Sequence, residues 1–175
     1  MEERREEVAA GDEPFAGRQL HTGDPAPDFR LDYLDLADLV VRTICLEDSS
    51  GSVRLLGVVN SLASPRCQQA IKQWETLRVQ LPPETCLYSV SLDPPQVQAR
   101  WQESEGVLHQ MLSTHRSDQF GRDYGVWLGE GRQLARAAFV LDRADRIAYA
   151  EYLTDPLLEP DYAAALQAVL QAAVA

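Results

Sequence analysis

The chain is poor in the residues that would tie it to nucleic acid, to a membrane or to a disulfide scaffold. Three cysteines, Cys45, Cys67 and Cys86, occur in 175 residues. A count that is odd and sparse builds no disulfide framework, which predicts a reducing, cytoplasmic setting. Cations are scarce as well: 16 Lys and Arg stand against 27 Asp and Glu, for a net charge of −11, and Lys72 is the single lysine. Phosphate binding needs clustered Lys and Arg, so this balance argues against nucleic acid as a partner, and equally against anionic membrane surfaces. No apolar run, Leu55–Val59 included, approaches the roughly 20 residues that span a bilayer. The opening MEERREEVAAGDE has no cationic n-region and no apolar h-region, and so does not read as a signal peptide. Three histidines, His21, His109 and His115, show no ligand spacing with one another or with the cysteines, which predicts no metal site.

What is present is the composition of a single globular domain, 45% hydrophobic and 25% charged. Residues 1–22 carry no apolar periodicity and read as a mobile or loosely attached arm, leaving 23–175 as the domain. Gly23–Leu31 reads as an extended entry strand, and residues 39–46 and Val53–Asn60 as two more, the latter buried on both faces. Ser64 is a good N-cap and Pro65 fits the first helical position, so a helix follows, with Cys67, Ile71, Trp74 and Leu77 on its apolar face. Thr85–Leu92 reads as a central strand, with Cys86 buried at its start. Pro94-Pro95 opens a helix with Val97 and Trp101 on one face. Residues 134–141 and 146–153 form an antiparallel hairpin across the Asp142–Asp145 turn. Gly125–Gly131 lacks the Lys-Ser/Thr of a phosphate loop and reads as the turn before that hairpin. An Ala-rich helix closes the chain over Asp161–Val174, with Tyr162, Leu166, Val169 and Leu170 inward. This order predicts an α/β protein with a thioredoxin-like fold, a central mixed sheet flanked by helices on both faces.

The candidate chemistry lies at Ser64-Pro65-Arg66-Cys67. With Ser64 as cap, Cys67 falls in the first helical turn, where unpaired backbone N–H groups and the positive end of the helix dipole favour a thiolate, the nucleophilic form of cysteine. Arg66 adds a nearby positive charge. The same spacing equally describes a small buried hydrophobe on the face of Ile71 and Trp74.

Several segments then resemble the bacterial thiol peroxidases, the atypical peroxiredoxins. They are Gly23-Asp24-Pro25-Ala26-Pro27-Asp28-Phe29, Leu112–Phe120 with Tyr124-Gly125-Val126, Ala135–Asp142, and Glu159–Leu166. Together they cover residues 23–170 in order. The resemblance implies a thiol-dependent peroxidase that reduces hydrogen peroxide or organic hydroperoxides without a metal or organic cofactor, and a homodimer. The family's Pro-x-x-x-Thr/Ser-x-x-Cys motif falls on Asn60–Cys67. By that match Cys67 is the peroxidatic cysteine, Ser64 the hydroxyl beside it and Arg136 the cation that holds the thiolate. Pro65 and Asn60 belong to the pocket. Two positions depart from the pattern: Asn60 replaces the motif proline, and Gln102 occupies the place of the resolving cysteine. With the family's two-cysteine cycle lost at Gln102, turnover is left to a one-cysteine cycle with thioredoxin or a low-molecular-weight thiol as external reductant, or to resolution by Cys86 or Cys45. A second reading, motivated by Asn60 and Gln102, is a degenerate family member acting as a redox-sensing or interaction module.

Overall fold

A computed structural model describes residues 15–129 and 131–175. In chain order the strands are β1 (Phe15–Ala16), β2 (Arg30–Asp35), β3 (Val40–Cys45), β4 (Arg54–Val58), β5 (Cys86–Ser91), β6 (Gln110–Ser113), β7 (Trp127–Leu128), β8 (Gln133–Leu134), β9 (Ala137–Leu141) and β10 (Ile147–Tyr152). The α-helices are α1 (Pro65–Leu77), α2 (Pro95–Glu105), α3 (Gln119–Asp123) and α4 (Tyr162–Val174). Seven strands form one mixed sheet in the order β10-β9-β4-β5-β6-β2-β3, and β1, β7 and β8 form a small second sheet. Within the large sheet β4 runs parallel to β5 and β5 parallel to β6, while the other pairs are antiparallel.

Alternation along the central strands sorts the core into two faces. Leu56, Val58, Tyr88, Val90, Leu112 and Phe139 point to one face, where Phe29, Phe120 of α3, Tyr124 and Trp127 cover them. Leu55, Leu87, Ala138 and Val140 point to the other, beneath α1 and α4. On that second face Cys67, Ala70 and Ile71 of α1 meet Trp101 of α2 and Met111 of β6. The fold is thus the expected α/β arrangement, with helices on both faces of a mixed sheet. Gly57 is needed where α1 crosses β4. A Cβ there would stand 2.4 Å from the Trp74 indole nitrogen, so any larger residue would lift the helix off the strand.

Four local expectations are corrected. Residues 15–22 are not a loose arm. Phe15 and Ala16 pair with Leu128 and Trp127, Leu20 is buried and donates its backbone N–H to the Tyr152 hydroxyl at 2.8 Å, and Gly125 leaves room for the Arg18 carbonyl. The rest of the expected arm, 1–14, lies outside the described residues. The strand expected over 134–141 is split. Leu134 pairs with β7, Ala137 onward pairs with β4 and β10, and the chain passes between sheets at Ala135 and Arg136. Val97 and Leu170 face solvent, because α2 buries Pro95, Gln98 and Ala99, and α4 buries Ala165, Val169 and Ala172 instead. Cys86 is half-buried, since β5 begins there at the end of the sheet.

Candidate active site

The parallel strands β4 and β5 end side by side, and the loop after β4 carries the site. Asp93, just past β5, fixes that loop: its carboxylate accepts from the Ser61 hydroxyl at 3.1 Å and from the Leu62 backbone N–H at 2.9 Å. The loop then delivers Ser64 as the N-cap of α1. Ser64 is extended (φ −91°, ψ 123°), Pro65 takes the first helical turn, and the Ser64 hydroxyl accepts from the Cys67 N–H at 3.4 Å. Removal of such a cap weakens a helix by about 1 kcal/mol. Gln68 adds a second tie, donating to the Leu62 carbonyl at 2.6 Å. Cys67 is therefore held at the carboxyl end of the parallel strands, where open α/β sheets bind ligands. Cys67 is 3% exposed, and it lies between the core cluster of Ile71 and Trp101 and a cavity of about 350 Å³.

That cavity brings together Asn60, Ser64 and Cys67 from the 60–67 stretch and Arg136 from a distant one. Leu128, Leu134, Leu153 and Pro156 supply an apolar wall, and Phe15 reaches it from β1. Arg136 is buried where the chain crosses between sheets. Its Nη2 donates to the Pro156 carbonyl at 3.0 Å and to the Leu158 carbonyl, and Nη1 stands 3.9 Å from a Glu159 carboxylate oxygen. Nη1 makes no hydrogen bond among the described residues although it is buried. A cation so oriented can bind an oxygen that gains charge. Arg66 is exposed on the same rim and reaches the Leu157 carbonyl and Glu159. Asn60 does not solvate the sulfur freely: its Oδ1 accepts from the Leu134 N–H at 2.9 Å. Pro65 is exposed at the helix start.

Gln102 is occupied in a different way. On α2 its side-chain amide donates to the Val107 carbonyl at 3.3 Å and the His109 carbonyl at 2.7 Å, closing the turn that follows the helix. The other two cysteines lie at the far end of the sheet. Cys86 pairs in register with Arg54, the first residue of β4, whereas Cys67 follows the last. At about 3.3 Å per residue the length of β4 alone separates them by more than 10 Å. Cys45 pairs with Arg30 and lines a cavity with Asp145 and Arg146 at that same far end. A hydrogen bond to the Asp48 carboxylate, with burial and that negative charge, pushes the Cys45 thiol up from its ordinary range. Neither cysteine shares the cavity or the core cluster of Cys67.

Three features escaped the sequence reading: Asp93 as the anchor of the 61–64 loop, the 153–158 loop that clamps Arg136, and Phe15. The Ser-x-Asp-Pro pattern at 91–94 marks a strand end with a side-chain acceptor and could have pointed to the first. A buried relay was also missed. The Glu75 carboxylate lies 2.5 Å from His109 Nδ1 and accepts the Leu108 and His109 N–H groups, and His109 Nε2 meets the Ser89 hydroxyl at 2.7 Å. Among the described residues no three His, Cys, Asp or Glu side chains are grouped as metal ligands.

A thioredoxin-like α/β fold with one cysteine in a capped first helical turn and a buried arginine lining the same cavity defines the class. A peroxiredoxin-like protein from Aquifex aeolicus superposes with a TM-score of 0.77 at 26% identity, covering 90% of each chain. The AhpC/TSA family model matches residues 22–150. A thiol peroxidase of Streptococcus sanguinis is 36% identical over 156 residues, which span 89% of this chain and 92% of that protein. A solved thiol peroxidase from Chromobacterium violaceum superposes with a TM-score of 0.77 at 25% identity, covering 94% of this chain and 95% of that one. The chain belongs to the AhpC/TSA family and, within it, to the thiol peroxidases.

Proposed function

We propose that this protein reduces hydrogen peroxide or organic hydroperoxides through Cys67 in a one-cysteine cycle completed by an external thiol. The observation that carries the reading is the cavity lined both by Cys67, at the capped start of α1, and by Arg136, whose buried Nη1 makes no hydrogen bond among the described residues. The Cys67 thiolate attacks one peroxide oxygen. A sulfur–oxygen bond forms as the O–O bond breaks, and the sulfur is oxidised to a sulfenic acid. The departing oxygen leaves as hydroxide or alkoxide and takes up a proton, giving water or alcohol. Arg136 and the Ser64 hydroxyl hold the reacting oxygens and stabilise that charge.

An external thiolate then attacks the sulfenic acid sulfur, releasing water after protonation and forming a mixed disulfide. A second thiol displaces it, restoring Cys67 and carrying off the oxidised reductant. Gln102 supplies no sulfur for an internal disulfide, and the register of β4 and β5 supports leaving Cys86 out of the cycle. Thioredoxin and low-molecular-weight thiols are both reductants of the required chemistry, and the family resemblance supports a homodimer.

The test is peroxide consumption with dithiothreitol, glutathione or thioredoxin as reductant, with dimedone trapping of the sulfenic acid. The expected result is trapping at Cys67 and complete loss of both signals in Cys67→Ser. Consumption that survives Cys67→Ser would overturn the proposal.

A further inference from the structure

At the mouth of β4, Asn60 occupies the position where the motif carries a proline, a residue with no side-chain donor. Its backbone is fixed, because its carbonyl accepts the Leu92 N–H at 3.1 Å. Its side chain is fixed too. The Leu134 backbone N–H is a donor, so the side-chain atom 2.9 Å away must be the carbonyl oxygen, and the amide cannot turn over without losing that bond. With Oδ1 committed to Leu134, Nδ2 is left as the free end. Among the described residues it has no hydrogen-bond partner, and Asn60 lines the cavity that holds Cys67, Ser64 and Arg136.

We propose that the Asn60 side-chain amide is a catalytic hydrogen-bond donor, holding a hydroperoxide oxygen over Cys67 and stabilising the charge that grows as the O–O bond breaks. The inference rests on the thiol-peroxidase reading above. Among the described residues both N–H bonds of Nδ2 are available, the amide is oriented by Leu134 before substrate arrives, and Leu128, Leu134, Leu153 and Pro156 make the facing wall apolar, so the donor needs little reorganisation. The electron count is that of the displacement itself. The thiolate gives two electrons to the proximal oxygen, the distal oxygen leaves with the O–O bonding pair, and the Asn60 N–H shares but does not transfer its proton. Water supplies the proton that completes the alcohol. The departure from the motif is on this account a gain: the proline shields, whereas Asn60 donates.

The experiment compares two reactions of the same thiolate. Cys67 oxidation by cumene hydroperoxide is followed by stopped-flow, and Cys67 alkylation by iodoacetamide under the same conditions. The ratio of the two rates removes any change in thiolate fraction. Asn60→Asp keeps the acceptor for Leu134 and loses the donor; Asn60→Leu keeps the volume and loses both. The ratio is expected to fall about tenfold or more in both variants, in line with loss of one preorganised donor. A ratio within about twofold of wild type in Asn60→Asp would overturn the inference, even if Asn60→Leu is slow, since the defect would then come from Leu134. If wild-type Cys67 alkylates but does not react with hydroperoxide, the peroxidase reading itself fails. That outcome is distinct from a reactive wild type with an unchanged Asn60→Asp.

Discussion

Arg54 and Arg136 are both buried, one opening β4 and the other just before its neighbour β9, and they are held in different ways. Arg54 opens β4 and is completely buried. Its Nη1 donates to the Ser52 and Asp142 carbonyls, the latter at 2.9 Å, and its Nη2 pairs with the Asp145 carboxylate. Both terminal nitrogens are spent, and the nitrogen left over is the inner Nε, which borders no ligand cavity among those described. Arg136 precedes β9 at the other end. Its Nη1 makes no hydrogen bond among the described residues, and the residue lines the cavity that Cys67 also lines. The contrast separates a cation whose terminal nitrogens are all engaged from one that the proposed function puts to chemical use. Arg54 neutralises a carboxylate and closes a hairpin turn; Arg136 is held mainly by two carbonyls, with the Glu159 carboxylate 3.9 Å from Nη1, and on the proposed reading it meets substrate with the hydrogen-bonding capacity left over.

The comparison can be broken most directly at Arg54. Arg54→Ala leaves Asp145 and two turn carbonyls without their donor, and is expected to lower unfolding stability by roughly 3 kcal/mol. Peroxide turnover per folded molecule should change less than twofold, read by urea denaturation and by assay at matched folded fraction. Arg136→Ala should do the reverse. Cys67 oxidation is expected to slow by about 100-fold, with a stability change of about 1 kcal/mol. If Arg136→Ala unfolds the protein while surviving molecules keep their rate, the division between the two arginines is wrong.

A smaller effect sits between the two ends, on the helical face. Burial holds the His109 imidazolium below its ordinary value of 6.5, against the opposing pull of Glu75. The folded state then binds fewer protons than the unfolded chain, so the His109 contribution is fully present above pH 6.5 and is lost as the pH falls through the folded value. Hydrogen bonds from His109 and from the backbone of 108 and 109 overcome burial and hold Glu75 below 4.5, which adds a loss of the same sign at more acid pH. Urea midpoints taken from pH 8 down to pH 5 should decline in the wild type and flatten over that range in His109→Gln. The smallest effect is expected at the amino end of the sheet. Cys86→Ser and Cys45→Ser should leave steady-state turnover within twofold, and a stalled cycle in Cys86→Ser would show that the two ends communicate through sulfur.

Much of this was legible in local sequence. Ser64 and Pro65 announce the start of α1, the motif from Asn60 to Cys67 falls where the loop lies, and the two halves of the 137–152 hairpin flank an obvious turn. What was not legible depends on residues far apart in the chain. β6 and α3 are four and five residues long and have too little periodicity to stand out. The split of the expected strand at Arg136 exists because Leu134 pairs with β7 and Ala137 with β4, two partners that no window around 134–141 contains. Residues 15–22 carry no amphipathic signal since their order comes from Tyr152 and the 125–128 segment, more than a hundred residues on. The orientation of Asn60 is set by Leu134, 74 positions away.

The arginine clamp at the cavity is built from main-chain oxygens of Pro156 and Leu158, while Leu157 and Leu158 turn their side chains outward, 69% and 53% exposed. A clamp of that kind does not depend on which side chains the loop carries. Substitutions at Leu153 and Thr154, which line the cavity, can therefore reshape it while the guanidinium stays where it is. The loop is a place where selection can retune what enters the site without reinventing the reaction.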